Sequence, residues 1–308
     1  MTEHDSALDA VFSHLMKLDA LGPRIGKAVR RTFDMLLDGQ HTGRYRWEQL
    51  HKTEKTHCGT LIEINLQREF GFADGDVLDY SIAGHEVDCK YSQKLTDWMI
   101  PPEAVSRLIL GLWASDKKGH WSAGLVRARE EHLNPGRNRD VKRTLNRTGR
   151  AAIRWLFKDE PLKENILLSL PDDDTDAIFR STSGQKRINE LFRRVQGQPI
   201  SRTVVATVAM QEDYMKRIRG NGGARTALRP EGIVIFGQYR NHVEAAEALG
   251  YPPHGPGDSM SIRLARKRPH HAGLPSITLD GEQWVAALPD DPPEMAPPLP
   301  DIGPLGKS

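Results

Sequence analysis

Two carboxylates and an amine stand at a spacing that could build a metal-dependent hydrolytic site. Asp79 is followed, after eight residues, by Asp88-Cys89-Lys90. A hard divalent cation such as Mg²⁺ prefers oxygen ligands and keeps several waters, so the carboxylates of Asp79 and Asp88 with the main-chain carbonyl of Cys89 could hold it. Lys90 would then lie beside the ion, where its amine could orient or help to deprotonate an attacking water.

The same residues also have plainer interpretations. An Asp-x-Lys sequence is common, and Asp88 and Lys90 could be an exposed strand face. Glu63 could supply a third carboxylate or occupy a surface position on a helix. Lys52 and Lys55 are either solvated charges or contacts to a DNA backbone phosphate near the cleft. Spacing alone does not choose between these alternatives.

A predicted β-hairpin positions the candidate residues. Residues 77–82 and 85–92 have the pattern of strands, and Ala83-Gly84 between them has the pattern of a turn. Alternate side chains of a strand point to opposite faces. On the second strand, Val87, Cys89 and Tyr91 therefore form an apolar face that can pack on a core. Asp88 and Lys90 form the opposite, charged face, which can line a cleft.

The surrounding pattern predicts a mixed α/β domain over residues 1–170, with helices flanking a sheet. Helical spacing of apolar residues predicts helices over 8–18, 24–37 (ended by Gly39), 56–70, which carries Glu63, and the basic stretch 137–157. Short apolar runs predict further strands over 108–113, 121–126 and 165–170.

A second domain is expected over residues 185–288, after a polar linker at 171–184. Its pattern is a helix over 185–195, a segment capped by Ser201 that could be helix or strand, a helix over 211–218, a basic glycine-containing loop and a strand over 232–236. This order favours a winged helix-turn-helix. A hairpin around Asp280-Gly281 would close it, and the acidic, proline-rich residues 289–308 are expected to be disordered. The candidate DNA contacts in this domain are Lys216, Arg217, Arg219 and Arg225.

Charge is distributed unevenly along the 308 residues, although the formal net charge is only +2. Residues 127–154 carry nine Lys/Arg against three acids, and residues 184–231 carry ten against four. Two basic stretches indicate phosphate contacts in two places, the alternative being solvated helix faces. The chain has no apolar run of roughly 18 residues and no signal-peptide pattern, so we expect no membrane partner and a cytoplasmic location. Two cysteines without a CxxC pair predict neither a disulfide nor a zinc site.

Several long motifs resemble the NaeI restriction endonuclease family. In the first domain these are Gly39-Gln-His-Thr-Gly-Arg-Tyr, Leu50-His-Lys-Thr-Glu-Lys-Thr-His, Leu61-Ile-Glu-Ile-Asn-Leu, Asp79-Tyr-Ser-Ile-Ala-Gly and Val87-Asp-Cys-Lys. In the second they are Asn189-Glu-Leu-Phe-Arg-Arg-Val, Ala206-Thr-Val-Ala, Met215-Lys-Arg, Gly222-Gly-Ala-Arg and Leu228-Arg-Pro-Glu-Gly-Ile. The resemblance covers most of residues 30–240 and is weak outside them.

The resemblance implies a PD-(D/E)XK nuclease domain whose catalytic set falls on Glu63, Asp79, Asp88 and Lys90. Leu78 stands where the general motif has proline, a departure that removes no ligand. The resemblance further implies a catabolite-activator-like winged helix in the second domain, a Mg²⁺ cofactor and a homodimer. A type IIE enzyme of this family binds two copies of double-stranded DNA, one as substrate and one as effector, and the implied site is GCCGGC.

Two other functions stay open at this point. One is a non-catalytic dimeric regulator that binds DNA through its winged helix. The other is a strand-passing enzyme, which needs a nucleophilic side chain, usually tyrosine, in a basic pocket. The tyrosines are Tyr45, Tyr80, Tyr91, Tyr214, Tyr239 and Tyr251, and no one of them is an obvious candidate.

Overall fold

The chain folds as two units, each with a sheet of its own. One unit comprises Met1–Leu37 and Arg46–Glu164, and the other comprises Asp38–Tyr45 and Asn165–Ser308. The computed structural model describes residues 4–136 and 141–299. The mixed α/β class expected from the sequence is confirmed. No helix within the described ranges combines the length and the apolar character needed to cross a membrane.

The helices largely begin and end where capping residues allow. In chain order they are α1 (Ser6–Leu18), α2 (Pro23–Leu37), α3 (Gly39–Thr42), α4 (Lys52–Phe70), α5 (Arg147–Ala151), α6 (Asp172–Phe179), α7 (Gly184–Arg194), α8 (Arg202–Ala209), α9 (Ala224–Ala227) and α10 (Arg240–Ala248). Helix α4 begins four residues before the expected 56, because the Glu54 carboxylate accepts a hydrogen bond from the main-chain N–H of His51. This reciprocal cap stabilises its first turn.

The strands form one sheet in each unit. They are β1 (Ala73–Asp74), β2 (Tyr80–Ile82), β3 (His85–Ser92), β4 (Leu108–Ser115), β5 (His120–Arg127), β6 (Arg154–Pro161), β7 (Ile233–Phe236), β8 (Met260–Arg266), β9 (Ser276–Leu279) and β10 (Glu282–Ala286). The first sheet has the order β1-β2-β3-β4-β5-β6, and its neighbours are antiparallel except β3 and β4. The second has the order β7-β8-β10-β9.

Strand β3 separates its side chains as the alternation predicts. Val87 and Cys89 are buried in the core formed with α1, α2 and α4, and Tyr91 packs against that core. Asp88 and Lys90 lie on the opposite side, level with Ile109 and Gly111 of the parallel strand β4. The ring of Trp98 covers Gly111 so closely that a Cβ there would lie 2.4 Å from it. This position therefore requires glycine.

Two predicted elements of the first domain are wrong. Residues 137–157 were expected to be one helix, but within the described part only α5 is helical and β6 follows it. Pairing of β6 with β5 outweighs the helical pattern, since it buries Leu156 and Phe157 in the sheet core. Residues 165–170 were expected to be a strand, but Ile166–Leu168 form a 3₁₀ turn that Asn165 caps.

The second unit is built around a helical core that includes the residues expected to link the domains. Residues 171–184 contain α6, whose Ile178 is fully buried with Leu191 and Phe192 of α7. Segment 38–45 also belongs to this unit, because Gly39 approaches α8 so closely that a Cβ would meet the Thr207 hydroxyl. The segment after Ser201 is the helix α8, and the Ser201 side chain caps it. The expected helix over 211–218 is only a 3₁₀ turn, Tyr214–Arg217.

The expectation of disorder from residue 289 is wrong for residues 289–299. Asp291 is 7% exposed and accepts hydrogen bonds from the Leu288 N–H at 2.7 Å and from the Nε2 atom of His271 at 2.9 Å. The Ala296 N–H donates to the main-chain carbonyl of Arg229. Long-range contacts therefore hold this acidic segment in place, and residues 300–308 lie outside the described residues.

A buried ion pair in the first unit provides a test of the fold. Arg30 lies 2.9 Å from Asp34 and 3.1 Å from Asp116, whose side chain is 5% exposed. We expect Arg30→Ala to lower the free energy of unfolding by about 3–5 kcal/mol, because it leaves Asp116 buried without its cation. Urea denaturation measures this. The exposed neighbour Arg31 is the matched control, and Arg31→Ala should change stability by no more than about 0.5 kcal/mol. Equal effects of both changes would contradict the assignment.

Candidate active site

Asp79 and β3 are joined by a main-chain hydrogen bond. Asp79 directly precedes β2, which pairs with β3 through the turn at Ala83-Gly84. The Asp79 Oδ2 atom accepts a hydrogen bond of 2.7 Å from the main-chain N–H of Cys89. This contact holds the Asp79 carboxylate beside the segment that carries Asp88 and Lys90, as the hairpin geometry predicts.

Lys90 brings the predicted residues together. Its Nζ atom donates to Asp88 Oδ1 at 2.7 Å and to the carbonyl oxygen of Cys89 at 2.9 Å. The same Nζ atom lies 3.6 Å from Asp79 Oδ2. One ammonium group therefore contacts or approaches all three oxygen groups that the spacing suggested as metal ligands. The interpretation of Asp88 and Lys90 as an exposed strand face does not fit this arrangement.

Asp88 is the most buried of these groups and the least satisfied. Its side chain is 5% exposed, and its Oδ2 atom has no hydrogen-bond partner among the described residues. Burial raises the pKa of Asp88 from 3.8 to about 6, while Lys90 opposes the rise and Asp79 adds to it. A buried carboxylate oxygen without a partner is costly. A cation at this atom would remove that cost.

Glu63 joins the cluster from α4. The Tyr80 hydroxyl donates to the main-chain carbonyl of Glu63 at 2.7 Å, which ties this turn of α4 to β2. The Glu63 side chain is half-buried, and its pKa is raised by burial first and then by the charge of Asp79, with Lys90 acting in the opposite direction. Glu63 is therefore close enough to feel both charges. Tyr80, which sequence reasoning did not assign to the site, positions this turn.

The donor set fits a hard divalent cation. The Asp79 and Asp88 carboxylates and the Cys89 carbonyl offer oxygen atoms, the ligand type that Mg²⁺ prefers. The Oδ2 atom of Asp88 is an acceptor that no described residue uses. Burial disfavours the charged form of Lys90, but Asp88 and then Asp79 outweigh burial and raise the Lys90 pKa. Lys90 is thus an ammonium in this arrangement, suited to orienting water or substrate rather than to accepting a proton.

The remaining candidate residues belong to α4 and to the second unit. Lys52 and Lys55 occupy the first turn of α4, and Lys52 is exposed. In the second unit Lys216 and Arg219 are exposed, while Arg217 donates to Gln211 Oε1 at 2.7 Å. Arg225 is turned inward, and its Nε atom donates to the main-chain carbonyl of Ile235 at 3.1 Å. DNA contact by these residues stays a prediction.

Three tyrosines that a strand-passing enzyme could use are engaged in structural contacts. Tyr80 is fully buried, and Tyr91 donates its hydroxyl to the Ala114 carbonyl. Burial raises the pKa of both phenols far above the usual range, which opposes formation of a nucleophilic phenolate. Tyr45 is 8% exposed and stacks on Phe179. The structure thus offers this alternative no support at these positions.

Comparison with known proteins agrees with this site. A family model described as restriction endonuclease NaeI matches residues 9–295. The type II restriction enzyme NaeI of Lentzea aerocolonigenes is 47% identical over 307 residues, a match that covers 97% of this chain and 96% of the relative. The class is therefore that of the type II restriction endonucleases. Within this class the chain belongs to the restriction endonuclease NaeI family, which confirms the resemblance of its sequence motifs.

The raised pKa of Asp88 predicts how the metal-free protein responds to pH. Its folded value of about 6 lies above its ordinary value of 3.8, so the folded state binds a proton more tightly than the unfolded state. The stabilisation that this tighter proton binding gives the folded state is therefore fully present below about pH 4, and it is lost as the pH rises through about 6. Urea denaturation in EDTA should therefore show that, as the pH rises from about 4 to above 6, the free energy of unfolding of the wild type falls relative to that of Asp88→Asn. A difference between the two proteins that does not change with pH would contradict the prediction.

Proposed function

We propose that this chain is a Mg²⁺-dependent homodimeric restriction endonuclease that hydrolyses both strands of DNA. The observation that carries the proposal is the convergence of Asp79, Asp88 and Lys90 around one point, with a buried Asp88 oxygen that lacks a partner. Glu63 adds a further carboxylate whose pKa responds to Asp79 and Lys90. Acidic oxygens and one amine at a single point are what metal-assisted phosphodiester hydrolysis requires.

We assign the first unit to the PD-(D/E)XK nuclease fold. The support is its mixed sheet, in which the antiparallel β2–β3 hairpin carries the acidic residues and β3 pairs in parallel with β4. Helix α4, which contributes Glu63, packs against β3.

We assign the second unit to the winged helix-turn-helix class. Helices α7 and α8 pack together, and a β-sheet follows them in the chain. The basic stretch near Lys216 and Arg219 is exposed, as a phosphate-binding surface requires.

Each residue of the site has a distinct role in the proposed reaction. Asp79, Asp88 and the Cys89 carbonyl would hold Mg²⁺, which when bound neutralises charge on the scissile phosphate and lowers the pKa of a coordinated water. Glu63 would assist from α4. Lys90, held as an ammonium by its two carboxylate neighbours, would orient the attacking water and stabilise charge that builds on the phosphate oxygens. Lys52 and Lys55 would contact backbone phosphates of the bound duplex.

The proposed substrate is the palindrome GCCGGC, and the active form is a symmetric dimer. A two-fold symmetric protein matches a palindromic site, because each subunit then meets the same half-site. The second unit would bind another copy of the site, through residues such as Lys216, Arg217, Arg219 and Arg225, and this effector copy would favour the cleaving state. The two basic stretches of the sequence support binding at two places.

Substitution of the central residues separates an endonuclease from a non-catalytic regulator. We expect Lys90→Met to lower kcat by on the order of 10²- to 10⁴-fold while DNA affinity changes little, because Lys90 acts on the reacting groups. Asp88→Asn should likewise abolish cutting and preserve binding. Cleavage of a plasmid in Mg²⁺ and gel-shift affinity without Mg²⁺ are the two measurements.

Lys94→Met is the matched control for loss of one positive charge, since Lys94 is exposed and lies four residues further along the chain. It should cut at the wild-type rate. A Lys90 or Asp88 variant that cuts normally would rule out this site as the catalytic centre. Failure of the wild-type protein itself to cut any duplex would instead support the regulator.

Effector activation is tested on a duplex that contains one GCCGGC site. Addition of a short cognate duplex should increase the cleavage rate, because effector binding shifts the dimer towards its active state. A duplex of the same length and composition without the site is the control and should not stimulate. Equal rates with both duplexes would contradict the effector mechanism and leave the hydrolytic site unaffected.

A further inference from the structure

The second unit contains a polar site of its own. The lining of a cavity of about 300 Å³ includes Gly220-Asn221, Arg225, Val234 and His242. This volume is at the lower end of the range of about 300–1,000 Å³ for small-molecule pockets. The lining contains two arginines and one histidine, and it contains no carboxylate among the residues that the structure describes.

His242 lines this cavity and has an unused donor. It is 2% exposed, and its Nδ1 atom accepts a hydrogen bond of 2.9 Å from the main-chain N–H of Gly237. The neutral ring therefore carries its proton on Nε2, because only one ring nitrogen is protonated. Nε2 is buried and has no hydrogen-bond partner in the described part of the chain. A buried N–H that lacks an acceptor indicates a site for one.

Arg225 adds a positive charge without a carboxylate in the cavity lining. Its Nε atom donates to the neutral carbonyl of Ile235. Burial lowers the pKa of Arg225, and burial followed by the charge of Arg225 lowers the pKa of His242 to about 4. The buried Arg30 differs, since it is paired with Asp34 and Asp116. The cavity thus concentrates donors and positive charge without a carboxylate among the described residues of its lining.

We propose that this cavity binds a phosphoryl anion, held by the Arg225 guanidinium and the Nε2–H of His242. A guanidinium binds two phosphate oxygens with its planar set of N–H groups, and an imidazole N–H can donate to a third. The exposed Lys216 and Arg219 line an adjacent concave surface that shares Gly220-Asn221 with the cavity. They would attract a phosphate towards it. The phosphoryl group can come from free phosphate or from a DNA backbone.

Two substitutions remove the proposed contacts separately. Arg225→Gln removes the charge. His242→Asn keeps an oxygen near the Nδ1 position for the Gly237 N–H and removes the Nε2 donor. Arg240→Gln is the control, because Arg240 lies at the start of the same helix, is exposed and pairs with Glu244. The thermal midpoint of each variant without ligand shows whether it is folded.

The full-length protein labelled with ¹⁵N-histidine reports binding directly. Sodium phosphate is titrated at constant ionic strength and pH 7.5, with NaCl as the compensating salt. The His242 Nε2 resonance should shift and saturate in the wild type and in Arg240→Gln, with a rise in thermal midpoint of a few degrees. In Arg225→Gln the shift of the His242 resonance should be lost. The rise in thermal midpoint should be lost in both Arg225→Gln and His242→Asn. This arm requires neither DNA nor endonuclease activity, so its failure can be distinguished from failure of the proposed function, which assigns Arg225 to effector DNA.

A duplex without GCCGGC, added in the absence of Mg²⁺, distinguishes the two sources. If phosphate has no effect but the duplex shifts the His242 signal, the occupant is a backbone phosphate. Arg225→Gln and His242→Asn should then weaken duplex binding at least tenfold relative to Arg240→Gln. If neither phosphate nor duplex shifts the His242 signal of the folded wild type, the proposed anion site is wrong.

Discussion

The attraction between one half-buried ammonium, that of Lys90, and two neighbouring carboxylates is the interaction on which the catalytic unit depends. Asp79 and Asp88 carry charges of the same sign, and the pKa of Asp88 shows the cost of holding them together out of water. Lys90 reduces that cost at its 2.7 Å contact with Asp88, yet it leaves the second oxygen of that carboxylate without a partner. The cluster is therefore stable enough to form and is still electrostatically incomplete. An incomplete cluster of this kind is prepared to bind a cation.

The fold supplies what this cluster needs. Parallel pairing with β4 holds β3 in the interior of the sheet. The Trp98 ring packs over Gly111, the residue of β4 that is level with Lys90. The Tyr80 hydroxyl holds the turn of α4 at Glu63. The second unit shows the opposite imbalance, since Arg225 and His242 line a cavity whose described lining residues include no acid. The two units thus carry complementary requirements, one for a cation and one for an anion.

Sequence reasoning succeeded where short-range pattern determines structure. The alternation along β3 placed Asp88 and Lys90 opposite the apolar Val87 and Cys89, and the turn at Ala83-Gly84 made the hairpin predictable. Asp79 lies three residues before Ile82, where the first strand of the hairpin ends, and its position was predicted less directly. Its contact with the Cys89 N–H confirms that the two segments meet.

Long-range contacts account for the predictions that failed. The stretch 137–157 has helical spacing, but pairing with β5 makes its end a strand. The composition of residues 289–299 suggested disorder, whereas partners about 20 residues away in sequence, His270 and His271, hold Asp291. The contact of the Arg225 Nε atom with a carbonyl of β7 is another long-range feature that no local pattern reveals, and DNA contact by Arg225 stays a prediction.

Cleavage of a plasmid of known sequence by the purified wild-type chain, with Mg²⁺ and with EDTA, tests the central claim most directly. We predict double-strand breaks at GCCGGC that require Mg²⁺ and disappear in EDTA. Breaks that persist without a divalent ion, or an intact plasmid in its presence, would contradict the account of Asp79, Asp88 and Lys90 as a metal-dependent catalytic centre.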